Sequence, residues 1–88
     1  MLFIERMVIT MKFSGRRLKQ LRKEMKISHE GVVHLLYADD FVVSKQSVIN
    51  WEAGEHSPNL EALAHLARVF NNPIEYFIER NSNETSKV

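Results

Sequence analysis

Apolar residues crowd the start of this chain without a helical period, and from Leu18 onward they recur every three to four residues. Residues 1–10 read M-L-F-I-E-R-M-V-I-T, apolar and β-branched enough for a strand. A single strand on a helical domain has no partner within the chain, so it pairs with a second copy, packs on the helices, or frays. A start of translation at Met7 or Met11 is a further reading. Leu18, Leu21 and Met25 then form the stripe of a first helix, with Phe13 just before it and Ser14 as its cap. Ser28 caps a second helix, which carries Glu30 in its first turn and turns Val32, Leu35 and Leu36 inward. Gly31 weakens that helix by about 1 kcal/mol relative to alanine.

Residues 36–43, L-Y-A-D-D-F-V-V, follow without a glycine. Either the second helix continues to about Ala38 and Asp39-Asp40 turn the chain, or the segment forms a loop of its own. Phe41 and Val43 are expected to face inward. A third helix over about 44–53, S-K-Q-S-V-I-N-W-E-A, is capped by Ser44 and stopped by Gly54, and only Val48 and Ile49 mark its apolar edge. Asn59 caps a fourth helix that ends near Phe70. Leu60, Leu63, Ala64, Ala67 and Phe70 share one face of it, with Leu66 half-buried. The run Asn72-Pro73-Ile74-Glu75 predicts a fifth helix by cap, proline and capping box, and that helix carries Ile74, Phe77 and Ile78. The expectation is an all-α, compact five-helix domain over 12–80, with an N-terminal apolar arm over 1–11 and a polar tail over 81–88.

Composition narrows the class. An apolar fraction of 44% and a charged fraction of 26% are those of a soluble globular protein. There is no cysteine, so disulfide and thiolate-metal scaffolds are excluded. No apolar run approaches the length of a membrane span, and Glu5 and Arg6 interrupt the start, which argues against a signal peptide. A cytoplasmic location away from membrane is the expectation. Net charge is only +1, yet Lys12, Arg16, Arg17, Lys19, Arg22, Lys23 and Lys26 stand against Glu24 alone in residues 11–26, leaving the rest acidic. That run is either a solvated helix face or a patch that meets phosphate, with Arg16, Arg17 and Lys19 its candidates.

The outer face of the third helix carries Lys45, Gln46, Ser47 and Asn50. Asn and Gln can pair with adenine edges, and Lys can reach guanine acceptors or phosphate. The alternative is a polar solvated face. Enzyme readings find no support. His29, His34, His56 and His65 sit at no metal-binding spacing, no H-E-x-x-H, P-loop or G-x-G-x-x-G run occurs, and Asp39-Asp40 reads as a turn. Neither metal nor cofactor is expected.

Three pieces of the chain, in order and spacing, resemble the lambda-repressor-like helix-turn-helix family, the Xre or Cro type. They are G-R-R-L-K-Q-L-R-K-E-M-K-I-S-H-E, then V-S-K-Q-S-V-I-N-W-E-A-G-E-H-S-P-N-L-E-A-L-A-H-L-A-R-V-F, then P-I-E-Y-F. The resemblance implies a transcriptional regulator, with a repressor favoured, that places the third helix in the major groove of a palindromic operator as a homodimer. It implies base reading by Lys45, Gln46, Ser47 and Asn50. Phosphate contacts fall to Ser28, His29 and Ser44 at helix starts, and to His56, Ser57 and Asn59 in the following loop, where Glu55 opposes them. Trp51 matches a position that braces the recognition helix, joining Leu18, Leu21, Val48 and Leu63 as structural residues; base stacking is the lesser reading.

The family closes its second helix with a shorter turn, so this chain implies a lengthened turn between helices 2 and 3. The dimer contact is expected at Tyr76, Phe77 and Ile78, with the arm contributing; burial within one chain is the alternative. A different class of function also fits: a protein-interaction module, such as an antitoxin with a small protein partner, whose DNA binding is secondary.

Overall fold

Four side chains set where the helices begin, and four left-handed residues set where they stop. The computed structural model describes residues 10–81. In it α1 (Gly15–Glu24), α2 (His29–Ala38), α3 (Lys45–Ala53) and α4 (Leu60–Val69) are preceded by Ser14, Ser28, Ser44 and Asn59. Each cap oxygen accepts a free amide of the first turn, from Arg17, Gly31, Ser47 and Ala62 respectively, a bond that contributes about 1 kcal/mol. At the other ends Lys26, Asp40, Gly54 and Asn71 take positive φ of 59°, 65°, 81° and 55°. The next amide then reaches back into the last turn: Ile27 to the Arg22 carbonyl, Phe41 to Leu36, Glu55 to Asn50 and Asn72 to Ala67. All four helices therefore close in the same six-to-one fashion.

Phe41 follows from this closure. The reversal at Asp40 turns Phe41 back toward the core, where it is half-buried with Val43, while Val42 stays 79% exposed. The second helix thus runs to Ala38, and residues 39–44 form the connection to α3. Asp39 Oδ2 accepts from His65 Nδ1 at 2.7 Å and Arg68 Nε at 3.0 Å, and Phe41 stacks on the His65 ring at 4.7 Å. The connection is fastened to α4 by these contacts.

The core is one cluster. Leu18 of α1, Val32 and Leu36 of α2, Val48 and Trp51 of α3, and Ala62, Leu63, Leu66 and Ala67 of α4 are buried together with Phe70 and Phe77. Leu21 packs half-buried at its edge. Several side chains lie elsewhere than the sequence pattern puts them. Met25 is the exposed C-cap of α1, and Val33 rather than Leu35 packs against the cluster. In α4, Leu60 and Ala64 are exposed and Leu66 is wholly buried. That helix is apolar at most positions, so the pattern admits two faces, and the observed one puts Leu66 inward.

The fifth helix is corrected. Pro73 begins a single 3-10 turn, Ile74–Phe77, in which Tyr76 N–H donates to the Pro73 carbonyl at 3.0 Å. Asn72 does not cap it; its side-chain amide donates to the Phe70 carbonyl. From Ile78 the backbone is extended, with φ −111° and ψ 129°. The strands β1 (Thr10–Phe13) and β2 (Ile78–Asn81) form an antiparallel pair, Phe13 opposite Ile78 and Met11 opposite Arg80. Of the strand expected over residues 1–10, Thr10 alone is among the described residues, and it pairs with Asn81. Helix continuation past Phe77 would forfeit this pairing. Phe13 stacks parallel to Phe77 at 6.1 Å, and Ser14 N–H donates to the Phe77 carbonyl at 2.7 Å, so the small sheet is anchored to the core. Residues 1–9, which make up most of the expected arm, and residues 82–88 of the tail lie outside the described residues.

Candidate nucleic-acid interface

Val48 and Trp51 hold α3 to the body of the protein and thereby fix which of its side chains remain outside. Val48 is fully buried and Trp51 is 6% exposed, so both side chains pack α3 onto the core. Lys45 and Gln46 are exposed, and Ser47, Ile49 and Asn50 are half-buried. Gln46 Nε2 donates to Asn50 Oδ1 at 3.0 Å, one helical turn on, and Ser44 Oγ donates to Ser47 Oγ at 3.0 Å. The Gln46–Asn50 bond orients both amides. Among the described residues it leaves Gln46 Oε1 and Asn50 Nδ2 unbonded, an acceptor and a donor of the kind an adenine edge requires.

Ser28 stands at the start of α2, its oxygen engaged by Gly31 N–H. His29 is half-buried, and its Nε2 lies 3.2 Å from Glu52 Oε1 on α3. That same carboxylate binds Arg22 through two bonds, Nε at 2.6 Å and Nη2 at 3.1 Å, while Arg22 Nη1 donates to the Ile27 carbonyl at 3.0 Å. Arg22 is only 9% exposed. Although it belongs to the basic run, it is an internal tie between α1, α2 and α3. Its pairing with Glu52 across 30 positions has no local sequence signal.

The basic run divides. Arg16 pairs with Glu79 at 3.1 Å, and Arg17 donates to the Tyr76 carbonyl at 2.8 Å with its guanidinium 5.4 Å from the Tyr76 ring centre. Both therefore sit toward the sheet. Lys19 and Lys23 line a groove with His29, Ile49, Glu52 and Ala53, where α1, α2 and α3 meet. Of the three residues expected as a patch, Arg16 and Arg17 line a hollow with Ile78, Glu79 and Arg80, and Lys19 lines the groove at α3. In the α3–α4 loop His56 and Ser57 are exposed, while Asn59 Oδ1 is committed to the Ala62 amide at 2.8 Å.

Two carboxylates are shifted in the protein. The Asp39 carboxyl is held below its ordinary value of 3.8, first by the hydrogen bond from His65 and then by that from Arg68. The Glu79 carboxyl is held below 4.5, first by the Ser14 hydroxyl at 2.7 Å and then by the charge and hydrogen bond of Arg16. Among the described residues, no three His, Asp or Glu side chains converge as a metal site, and no helix is long and apolar enough to cross a membrane.

The face expected to dimerise is also used inside the chain. Phe77 is wholly buried, and Tyr76 and Ile78 are half-buried against the core.

A family model described as "Helix-turn-helix" matches residues 18–77. No curated protein and no solved structure matches the chain. The matched span runs from Leu18 within α1 through the 3-10 turn, most of the chain, and with α2 and α3 arranged about Glu52 and Trp51 the chain belongs to the lambda-repressor-like helix-turn-helix family.

Proposed function

We infer that this protein is a sequence-specific DNA-binding transcriptional regulator, a repressor, that docks α3 in the major groove of a palindromic operator as a homodimer. Family membership supports DNA as the partner. The observation that carries the reading is the outer face of α3: Lys45 and Gln46 exposed, with the Gln46 amide oriented by Asn50 at 3.0 Å while Val48 and Trp51 clamp the opposite side. Gln46 and Asn50 read bases, with Lys45 and Ser47 beside them. Ser28, His29 and Ser44 approach phosphates at two helix starts, with His56, Ser57 and Asn59 on the flank. Lys19 and Lys23, at the groove beside His29, extend the phosphate-binding surface onto α1.

In this reading residues 39–44 are a lengthened turn, and the Asp39 contacts to His65 and Arg68 hold the angle at which α3 enters the groove. Two copies are needed because one short helix reads few bases. The test is an anisotropy titration of the full chain into labelled duplex DNA at two salt concentrations. Binding that weakens steeply with salt, with a shallower slope in Lys19→Ala/Lys23→Ala, supports the reading. No binding at low salt refutes it.

A protein-interaction role is favoured by one feature. Tyr37 and Val42, on either side of the turn at Asp39 and Asp40, are 68% and 79% exposed. Co-purification of a small protein partner, lost in Tyr37→Ser/Val42→Ser, would favour that role.

A further inference from the structure

Among the described residues the sheet is two strands of four residues each, and such a ribbon is marginal unless something covers its edges. On β1, alternate N–H and C=O groups point away from β2, and among the described residues no backbone hydrogen bond meets them. Met11 lies on the same face of β1 as Phe13, yet Phe13 is half-buried on the core whereas Met11 is 62% exposed. An open edge with an apolar side chain beside it is a pairing surface.

We propose that β1 pairs antiparallel with β1 of a second copy, giving a continuous four-stranded sheet through the dimer. This rests on the homodimer reading above and names its interface. The choice of edge comes from symmetry. A two-fold axis perpendicular to a sheet places a residue opposite itself in the other copy, and its flanking residues opposite one another in turn. On β2 the axis falls on Glu79 or Arg80, and either setting opposes like charges directly. On β1 an axis at Lys12 does the same. An axis at Met11 instead sets Met11 against the other copy's Met11 and Lys12 against its Thr10, which opposes no like charges. Of the settings centred on the two middle residues of either strand, the one at Met11 alone opposes no like charges. The sequence entering β1, M-V-I, adds no charge.

The chain has no cysteine, so a single introduced thiol reports the register. Opposed residues of antiparallel strands lie within the Cα separation that a disulfide spans. Met11→Cys in the full chain is expected to form a covalent dimer under mild oxidation, and Arg80→Cys is not. Sedimentation of the reduced, unmodified chain over a concentration series is expected to show a dimer. Met11→Lys, which opposes two ammonium groups, is expected to weaken association at least about tenfold with its helical signal intact. A dimer that cross-links as readily through Arg80→Cys, or that Met11→Lys leaves unchanged, overturns the β1 interface while the homodimer reading stands. A monomer at every concentration overturns both. DNA binding is scored separately, so its loss or retention bears on neither result.

Discussion

Replacing Glu52 with alanine removes one carboxylate that holds two other helices. It accepts two hydrogen bonds from Arg22 on α1 and lies 3.2 Å from His29 on α2. The Arg22 and Glu52 side chains are only 10% and 6% exposed, so the guanidinium left behind stays out of water with the Ile27 carbonyl as its remaining partner. Removing one member of such a buried pair costs about 3 to 5 kcal/mol, a large part of the roughly 5 to 15 kcal/mol that stabilises a domain. At about 4 to 8 °C per kcal/mol, the melting temperature falls by roughly 10 to 40 °C. Arg16 supplies the control, since its pair with Glu79 leaves the arginine side chain 73% exposed; Arg16→Ala should cost under about 1 kcal/mol. Urea unfolding followed through Trp51, the sole tryptophan, measures both. Arg22→Met/Glu52→Leu should recover most of the loss, because an apolar pair of similar volume carries no stranded charge. A Glu52→Ala cost below about 1 kcal/mol, or a double variant no more stable than the single one, would refute this reasoning.

Other outcomes follow from single contacts. Gly15→Ala should destabilise by about 1 to 3 kcal/mol in thermal melts, although alanine ordinarily favours a helix, because the new methyl carbon meets the Trp51 carbonyl oxygen and lies 2.6 Å from that of Glu52. Lys26→Gly should stabilise by about 1 kcal/mol in the same assay, since Lys26 holds a left-handed φ of 59° at the end of α1. Gln46→Ala should leave folding intact and relax base preference by about 1 to 3 kcal/mol at the position it reads; unchanged selectivity removes Gln46 from the reading set. Asp39 and Glu79 are both depressed, so the stability each contributes is full above its ordinary value, 3.8 or 4.5, and is lost as pH falls through the lower folded value. Asp39→Asn/Glu79→Gln should therefore flatten the acid limb of melting temperature against pH, and an unaltered limb would contradict those pairings.

The features legible in the sequence are those that act over three or four residues. Ser14, Ser28, Ser44 and Asn59 each bond an amide three positions on, so the cap and its helix start are written side by side. Gly54 and the burial of Leu18, Val48, Trp51 and Leu63 belong to the same short range. What the pattern could not supply depends on distant partners. Arg22 counts as one more surface cation until Glu52 is placed beside it. The run after Pro73 has every local mark of a helix start, and only pairing with Thr10–Phe13 makes Ile78–Asn81 a strand. In α4 the local signal is too rich, since alanine and leucine fill both candidate faces, and packing decides between them. Lys45, Gln46, Ser47 and Asn50, proposed to face bases, are marked by residue type, but the bond from Gln46 to Asn50 requires the helix itself.

The measurement that bears most directly on the account is selection of bound fragments from random-sequence duplex DNA by the purified full chain at two salt concentrations. Enrichment of a palindrome that survives the higher salt, with half-sites about one helical turn apart, is the predicted result. Weak, salt-sensitive retention without any enriched sequence would contradict it.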